Sequence, residues 1–183
     1  MWIMSHRYLA KKIHYYIKEK YGLDLRLDLL QYGSIKPDVH WHYIKISHYY
    51  DEGYVYCLEE IGQLLKDSKY QDIKKFSQKL GIVLHFIADF HTFAHNEKDL
   101  QKNMSKHLLY EFKLHQALLH YDFRVDDYHI CCGSVHSLMK RLVQEYIKAE
   151  PSLENDMRFI YTATLSITDL MVEAVLLPSV QAA

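Results

Sequence analysis

Apolar and polar residues alternate along this chain at helical spacing, with no stretch of strand-type alternation. Leu9, Ile13, Tyr16 and Ile17 form the apolar stripe of a first helix expected over residues 5–20, with Ser5 as its N-cap and Gly22 as its stop. His6 lies on the inward side of that stripe. A short second helix is expected over residues 23–31, closed by Gly33; Pro37 then restricts Lys36 to extended backbone, and Asp38 stands where N-caps are common. Gly53 reads as a turn. Over residues 54–68 Val55, Leu58, Ile61 and Leu65 face inward. A long central helix begins at Tyr70 and ends between His91 and His95, and another covers residues 97–120. A loop over residues 121–133 leads to two last helices, residues 134–149 and 152–177, separated by Pro151. With no internal repeat or low-complexity tract, the expectation is an all-α fold: one domain over residues 1–183, a bundle of six or seven helices.

The central helix carries an anomaly. From Gly81 to Phe90 every residue is apolar or glycine except His85 and Asp89, so the segment reads as buried on all sides. A carboxylate there is costly unless it is paired or binds a metal. His85 and Asp89 are i and i+4 and share a face. In the following helix Leu100, Met104, His107, Glu111, Leu114 and Leu118 recur at steps of four and three, which places a second His/carboxylate pair on a core-facing seam. One such pair alone is as readily a satisfied buried hydrogen bond. Two pairs close in sequence, with His95 between them, point to a metal site inside the bundle. At about 100° per residue, His95 is about 240° round from Asp89 on a straight helix. A break near Thr92, or a neighbouring second metal, reconciles them.

Composition narrows the function. The net charge is −1 and no run of Lys or Arg exceeds a pair, so docking on duplex nucleic acid is not indicated. Thirteen histidines are unusual for 183 residues, whereas Cys57, Cys131 and Cys132 have neither metal-binding nor disulfide spacing. Free thiols and the lack of a signal-type N-terminus suggest a cytoplasmic protein. The apolar stretch over residues 159–177 is interrupted by Asp169 and Glu173 and reads as core, not as a membrane span.

Taken together, His85-x3-Asp89-x5-His95 and His107-x3-Glu111 resemble the central pattern of the zinc-dependent phospholipase C and single-strand nuclease family. Upstream, Asp38 in GSIKPDV, His48 in SHYYD, and Ser5–His6 are similar to that family's other ligand-bearing stretches, so the resemblance covers residues 5–111. It implies two or three zinc ions: one held by Asp38, His48, His85 and Asp89, one by His95, His107 and Glu111, and a third shared by His6 and Asp89. Two departures stand out. Secreted members begin at a mature Trp whose amino group and carbonyl bind the third zinc, whereas here Trp2 follows Met1. The family usually has Pro two residues before the histidine at position 95, where this chain has Phe93.

The resemblance implies a phosphodiester hydrolase, acting on a phospholipid headgroup ester or another small phosphodiester, with Asp38 orienting or deprotonating the attacking water. His91 is expected as a partner of a ligand or a spare ligand, and His40 and His42 as pocket rim. His14, His115, His120, His129 and His136 read as ordinary surface or core histidines. A non-catalytic metal-binding or metal-sensing scaffold of the same fold is the main alternative. Phosphohydrolases of the HD type need a His–Asp dipeptide that does not occur here, and di-iron bundles need Glu-x-x-His pairs.

Overall fold

The structure, a computed structural model, describes residues 1–66, 72–97, 100, 102–121 and 134–177. Among these it is helical throughout, with no strand. The elements are α1 (Ile3–Tyr21), α2 (Leu27–Val39), α3 (Tyr50–Lys66), α4 (Ile73–Phe90), the single turn α5 (Phe93–Asn96), α6 (Met104–His120), α7 (Val135–Lys148) and α8 (Leu153–Val175). The all-α expectation is met, with more helices among the described residues than the six or seven expected. The 121–133 loop and the Cys131–Cys132 pair fall, apart from Tyr121, outside the described residues.

Helix α4 is the axle. Every residue from Leu80 to Phe90 is buried, and α1, α2, α3 and α8 pack around it. Asp72 caps its start by accepting from the Lys74 N–H at 2.9 Å. Ser134 and Ser152 cap α7 and α8 in the same way, accepting from the Ser137 and Asn155 N–H groups. Gly22 closes α1 in the left-handed conformation (φ 67°) that glycine adopts without steric penalty.

Several expectations fail for tertiary reasons. Helix α1 begins two residues early, on Trp2. Ser5 is therefore not its cap but a buried residue within it, bonded to His115 across the bundle at 3.1 Å. Helix α2 does not stop at Gly33; it runs through Pro37, and Lys36 is helical. Pro37 lies in the last turn, where little helix remains to be disrupted, and packing on α4 outweighs the local preference. Asp38 consequently sits in the final turn of α2 and does not cap a later helix. Gly53 is inside α3 and serves a close approach in place of a turn, since a Cβ there would lie 2.2 Å from the Ser47 carbonyl oxygen. The inward stripe of α3 is Cys57, Glu60, Ile61 and Leu64, and Val55 is exposed. Met104 is also exposed, so the buried seam of α6 starts one step later than its spacing suggested.

The α2–α4 crossing has backbone against backbone. A Cβ on Gly81 would lie 2.3 Å from the Leu30 carbonyl oxygen and 2.7 Å from the Ser34 nitrogen, and one on Gly33 would lie 2.1 Å from the Gln78 carbonyl oxygen. No flexible side chain can give way. Gly81→Ala is therefore expected to cost roughly 3 kcal/mol, the upper end of ordinary overpacking. Urea unfolding checks this, and a midpoint like that of the parent would show that the helices separate freely.

Candidate metal centre

Eight side chains from five helices and one connecting segment converge at the end of α4. His85 and Asp89 point inward from α4, as their i, i+4 spacing required. The helix then breaks where His95 needed it to. His91 caps α4, Thr92 is extended, and α5 restarts at Phe93. The break is held by Thr92 Oγ1 donating to the Ala88 carbonyl at 3.0 Å, and by the Asn96 amide donating to the Phe90 and Thr92 carbonyls at 3.0 Å each. His95 is thereby turned back to within 3.8 Å of Asp89.

Asp89 stands in the middle with an oxygen for each side. Oδ2 is 2.8 Å from His48 Nδ1 and 3.2 Å from His85 Nε2; Oδ1 is 3.3 Å from His6 Nε2. Asp38 Oδ1 closes the first group at 3.7 Å from both His48 and His85. On the other side Glu111 Oε1 is 3.1 Å from His95 Nε2 and 3.0 Å from His107 Nε2. Three sets of donors each gather within 4.8 Å: Asp38, His48 and His85; His6, His85 and Asp89; and His95, His107 and Glu111.

A ninth participant had no side-chain signal. The amino group of Met1 is buried among these residues, 2.6 Å from Asp89 Oδ1, 2.7 Å from His95 Nε2 and 3.0 Å from Glu111 Oε1. Burial opposes its charge, but Asp89 and Glu111 outweigh that and raise it to about 10. Trp2 points outward, packing on Phe112 and His115.

Burial raises the pKa of Asp89, but the amine and the surrounding histidines reverse this and hold it well below the ordinary carboxylate range. Glu111 is likewise lowered, its burial outweighed by hydrogen bonds from His107 and His95. Burial pushes His6 down to about 3 and also lowers His95, so both are held as neutral imidazoles. Burial raises Asp38, with His85 opposing.

The donor set fits a metal on the evidence of its tautomers. His85 Nδ1 donates to the Ser34 carbonyl at 2.8 Å, and a carbonyl can only accept. A neutral His85 therefore aims a bare Nε2 lone pair into the cluster, the arrangement that orients metal-binding histidines. Asp38 Oδ2 is buried without a hydrogen-bond partner. Imidazole and carboxylate donors of this kind suit zinc.

Other histidines fall outside the cluster. His91 is buried, donates Nδ1 to the Ile87 carbonyl at 2.7 Å and packs between Tyr146 and Phe159, so it is a core residue and no ligand of this centre. His40, half-buried, and His42, exposed, lie on either side of Trp41. Sequence reasoning also missed Asp156, buried on α8. It accepts from the Phe93 N–H at 3.0 Å, the Tyr110 hydroxyl at 2.9 Å and the Tyr146 hydroxyl at 2.7 Å. Burial lifts it to about 6, against these bonds. Asp156 thus anchors the first residue of the turn that carries His95, through an N–H that a proline at position 93 could not offer. Beside His95 a cavity of about 430 Å³ opens, walled by Tyr49, Tyr50, Phe93 and Tyr146 and edged by Asp51 and Glu150.

A helical bundle that gathers histidines and carboxylates from five of its helices around buried donors has the makings of a metal-binding protein. The sequence model of the family described as zinc dependent phospholipase C matches residues 5–153. The chain belongs to that family, whose members are zinc-dependent hydrolases. No curated protein and no solved structure matches it significantly.

Proposed function

We propose that this protein is a zinc-dependent phosphodiester hydrolase acting on a phospholipid headgroup ester or another small phosphodiester. The observation that carries the reading is Asp89. One buried carboxylate presents its two oxygens to different histidine sets, as a residue bridging neighbouring ions would. Asp38, His48, His85 and Asp89 would hold one zinc, His95, His107 and Glu111 a second, and His6 with Asp89 a third. There the Met1 amine, once deprotonated, is a donor in the place where the family's mature Trp supplies one. Zinc in such a cluster neutralises phosphate oxygens, lowers the pKa of bound water and stabilises the leaving oxygen.

The chain's own residues supply the rest. Asp38 Oδ1 faces His48 and His85, which leaves Oδ2 to take the proton of the attacking water. Its raised pKa suits a base better than an ordinary carboxylate does. Ser34 holds the His85 ring and Asp156 holds the His95 turn, so neither imidazole has to be ordered on substrate binding.

One observation favours the non-catalytic scaffold. The Met1 ammonium already pairs with Asp89 and Glu111, a cation where the third ion would lie, and a cluster short of that ion lacks part of the proposed machinery. The deciding experiment measures zinc by elemental analysis and turnover on a phosphocholine ester, a bis-aryl phosphate and single-stranded DNA, before and after chelation. The expected result is two to three zinc ions per chain and hydrolysis that chelation removes and zinc restores. Stoichiometric zinc with no turnover on any of the three would establish the scaffold instead.

A further inference from the structure

Asp156 is a buried carboxylate that lies outside the metal cluster, yet its bonds reach toward the cluster from behind. It stands in the first turn of α8 and is 1% exposed. Three neutral donors hold it: Oδ2 accepts from the Phe93 N–H and the Tyr110 hydroxyl, and Oδ1 from the Tyr146 hydroxyl. Burial, reinforced by Asp156, pushes both phenols up, so they stay protonated and donate.

Where those donors stand in the chain decides what the bonds do. Phe93 is two residues before His95; Tyr110 directly precedes Glu111 and lies three residues after His107. Helix α5 is a single turn, and a helix that short fixes nothing by itself. The Thr92 and Asn96 bonds tie it to α4. Oδ2 of Asp156 ties it to α6, where the Phe93 and Tyr110 rings also meet at 5.5 Å. One oxygen therefore spans the two elements that supply His95, His107 and Glu111. The other reaches Tyr146 on α7, a helix that carries no member of the cluster. Donors around an ion work only when held to within about 0.5 Å, and neighbours that orient them supply that precision.

We propose that Asp156 is a positioning residue for the set of His95, His107 and Glu111: its Oδ2 clamps α5 to α6 and so fixes the gap that one zinc fills, while the sets around His85 do not depend on it. This deepens the proposed function, and rests on it only in taking that set to hold zinc; it requires no particular substrate.

The test is zinc release from the loaded full chain dialysed against a graded chelator, read by elemental analysis, with hydrolysis of a soluble bis-aryl phosphate followed in parallel. Tyr110→Phe and Tyr146→Phe each delete one hydroxyl from the same carboxylate, so a merely structural Asp156 would make them behave alike. Tyr110→Phe should instead shed one ion at a chelator concentration about 10–100-fold lower than the parent does, the usual loss when a group that orients ligands is removed. Tyr146→Phe should release its zinc as the parent does. Asp156→Leu removes all three bonds and should shed that ion at least as early. Asp156→Asn should restore it, because the amide oxygen can face Phe93 and Tyr110 while the nitrogen donates to the Tyr146 oxygen. His107→Ala identifies the ion: adding Tyr110→Phe to it should bring no further loss. Matching release from the two tyrosine variants overturns the proposal, as does Asp156→Asn releasing like Asp156→Leu, or a release of all ions together. A parent that binds no zinc overturns it along with the ligand assignment. If the parent holds zinc and hydrolyses nothing while Tyr110→Phe still sheds one ion early, the clamp stands and the hydrolase reading falls.

Discussion

Asp89→Ala should abolish zinc content and phosphodiesterase activity together while most of the helix signal survives. Both oxygens of Asp89 are used: Oδ2 faces His48 and His85, and Oδ1 faces His6 and the Met1 amine. Truncation removes the shared donor of two sets at once. It also leaves the buried Met1 ammonium with Glu111 as its remaining carboxylate, and breaking such a buried pair costs about 3–5 kcal/mol. The apolar core does not pass through Asp89. The metal-free variant is therefore expected to melt earlier but to show near-parental circular dichroism in the cold. Elemental analysis and turnover read the outcome. A variant that retains full zinc and full turnover would remove Asp89 from the centre.

Asp38→Asn separates holding the metal from doing the chemistry. The substitution keeps an oxygen at Oδ1, where His48 and His85 face it at 3.7 Å, so most of the zinc should stay. The proton acceptor at Oδ2 is lost, and general-base removal costs about 10²–10⁴-fold in rate. The parent needs Asp38 deprotonated, so its rate should rise with pH through a value above the ordinary carboxylate range, since burial raises this group. That limb should be missing in the variant. Unchanged turnover in the Asp38→Asn variant, with normal zinc, would assign the base elsewhere.

Which of these residues could be read from the chain follows from how local their signals are. His85, Asp89, His107 and Glu111 announce themselves because each interrupts an apolar face at helical spacing, and the cost of burying them unpaired demands a reason. The break at Thr92 was legible as a geometric necessity, given His95. Helix α2 was not, because Gly33 and Pro37 are local stop signals. What overrides them is the approach of α4, 48 residues away at Gly81. The misplaced stripe of α3 has a similar origin. Periodicity gives the pitch of a helix but leaves its phase to its neighbours, so Val55 turned outward, whereas the seam of α6 keeps its expected phase from His107 onward and loses only Met104. Asp156 was hidden by an ordinary explanation, an acid near the start of a helix capped by Ser152, where the dipole already favours one. Ser5 with His115, and the Met1 amine, are pairings across the sequence with no pattern of their own.

The contact of Gly33 with Gly81 reaches beyond stability. Helices α2 and α4 carry Asp38 and His85, and their spacing is set where one main chain rests on another, with Ser34 fixing the imidazole from the same turn. The separation between these two donors is therefore a property of the scaffold. Residues at the mouth can change from one relative to the next, and with them the molecules admitted, without retuning the distance on which the chemistry depends.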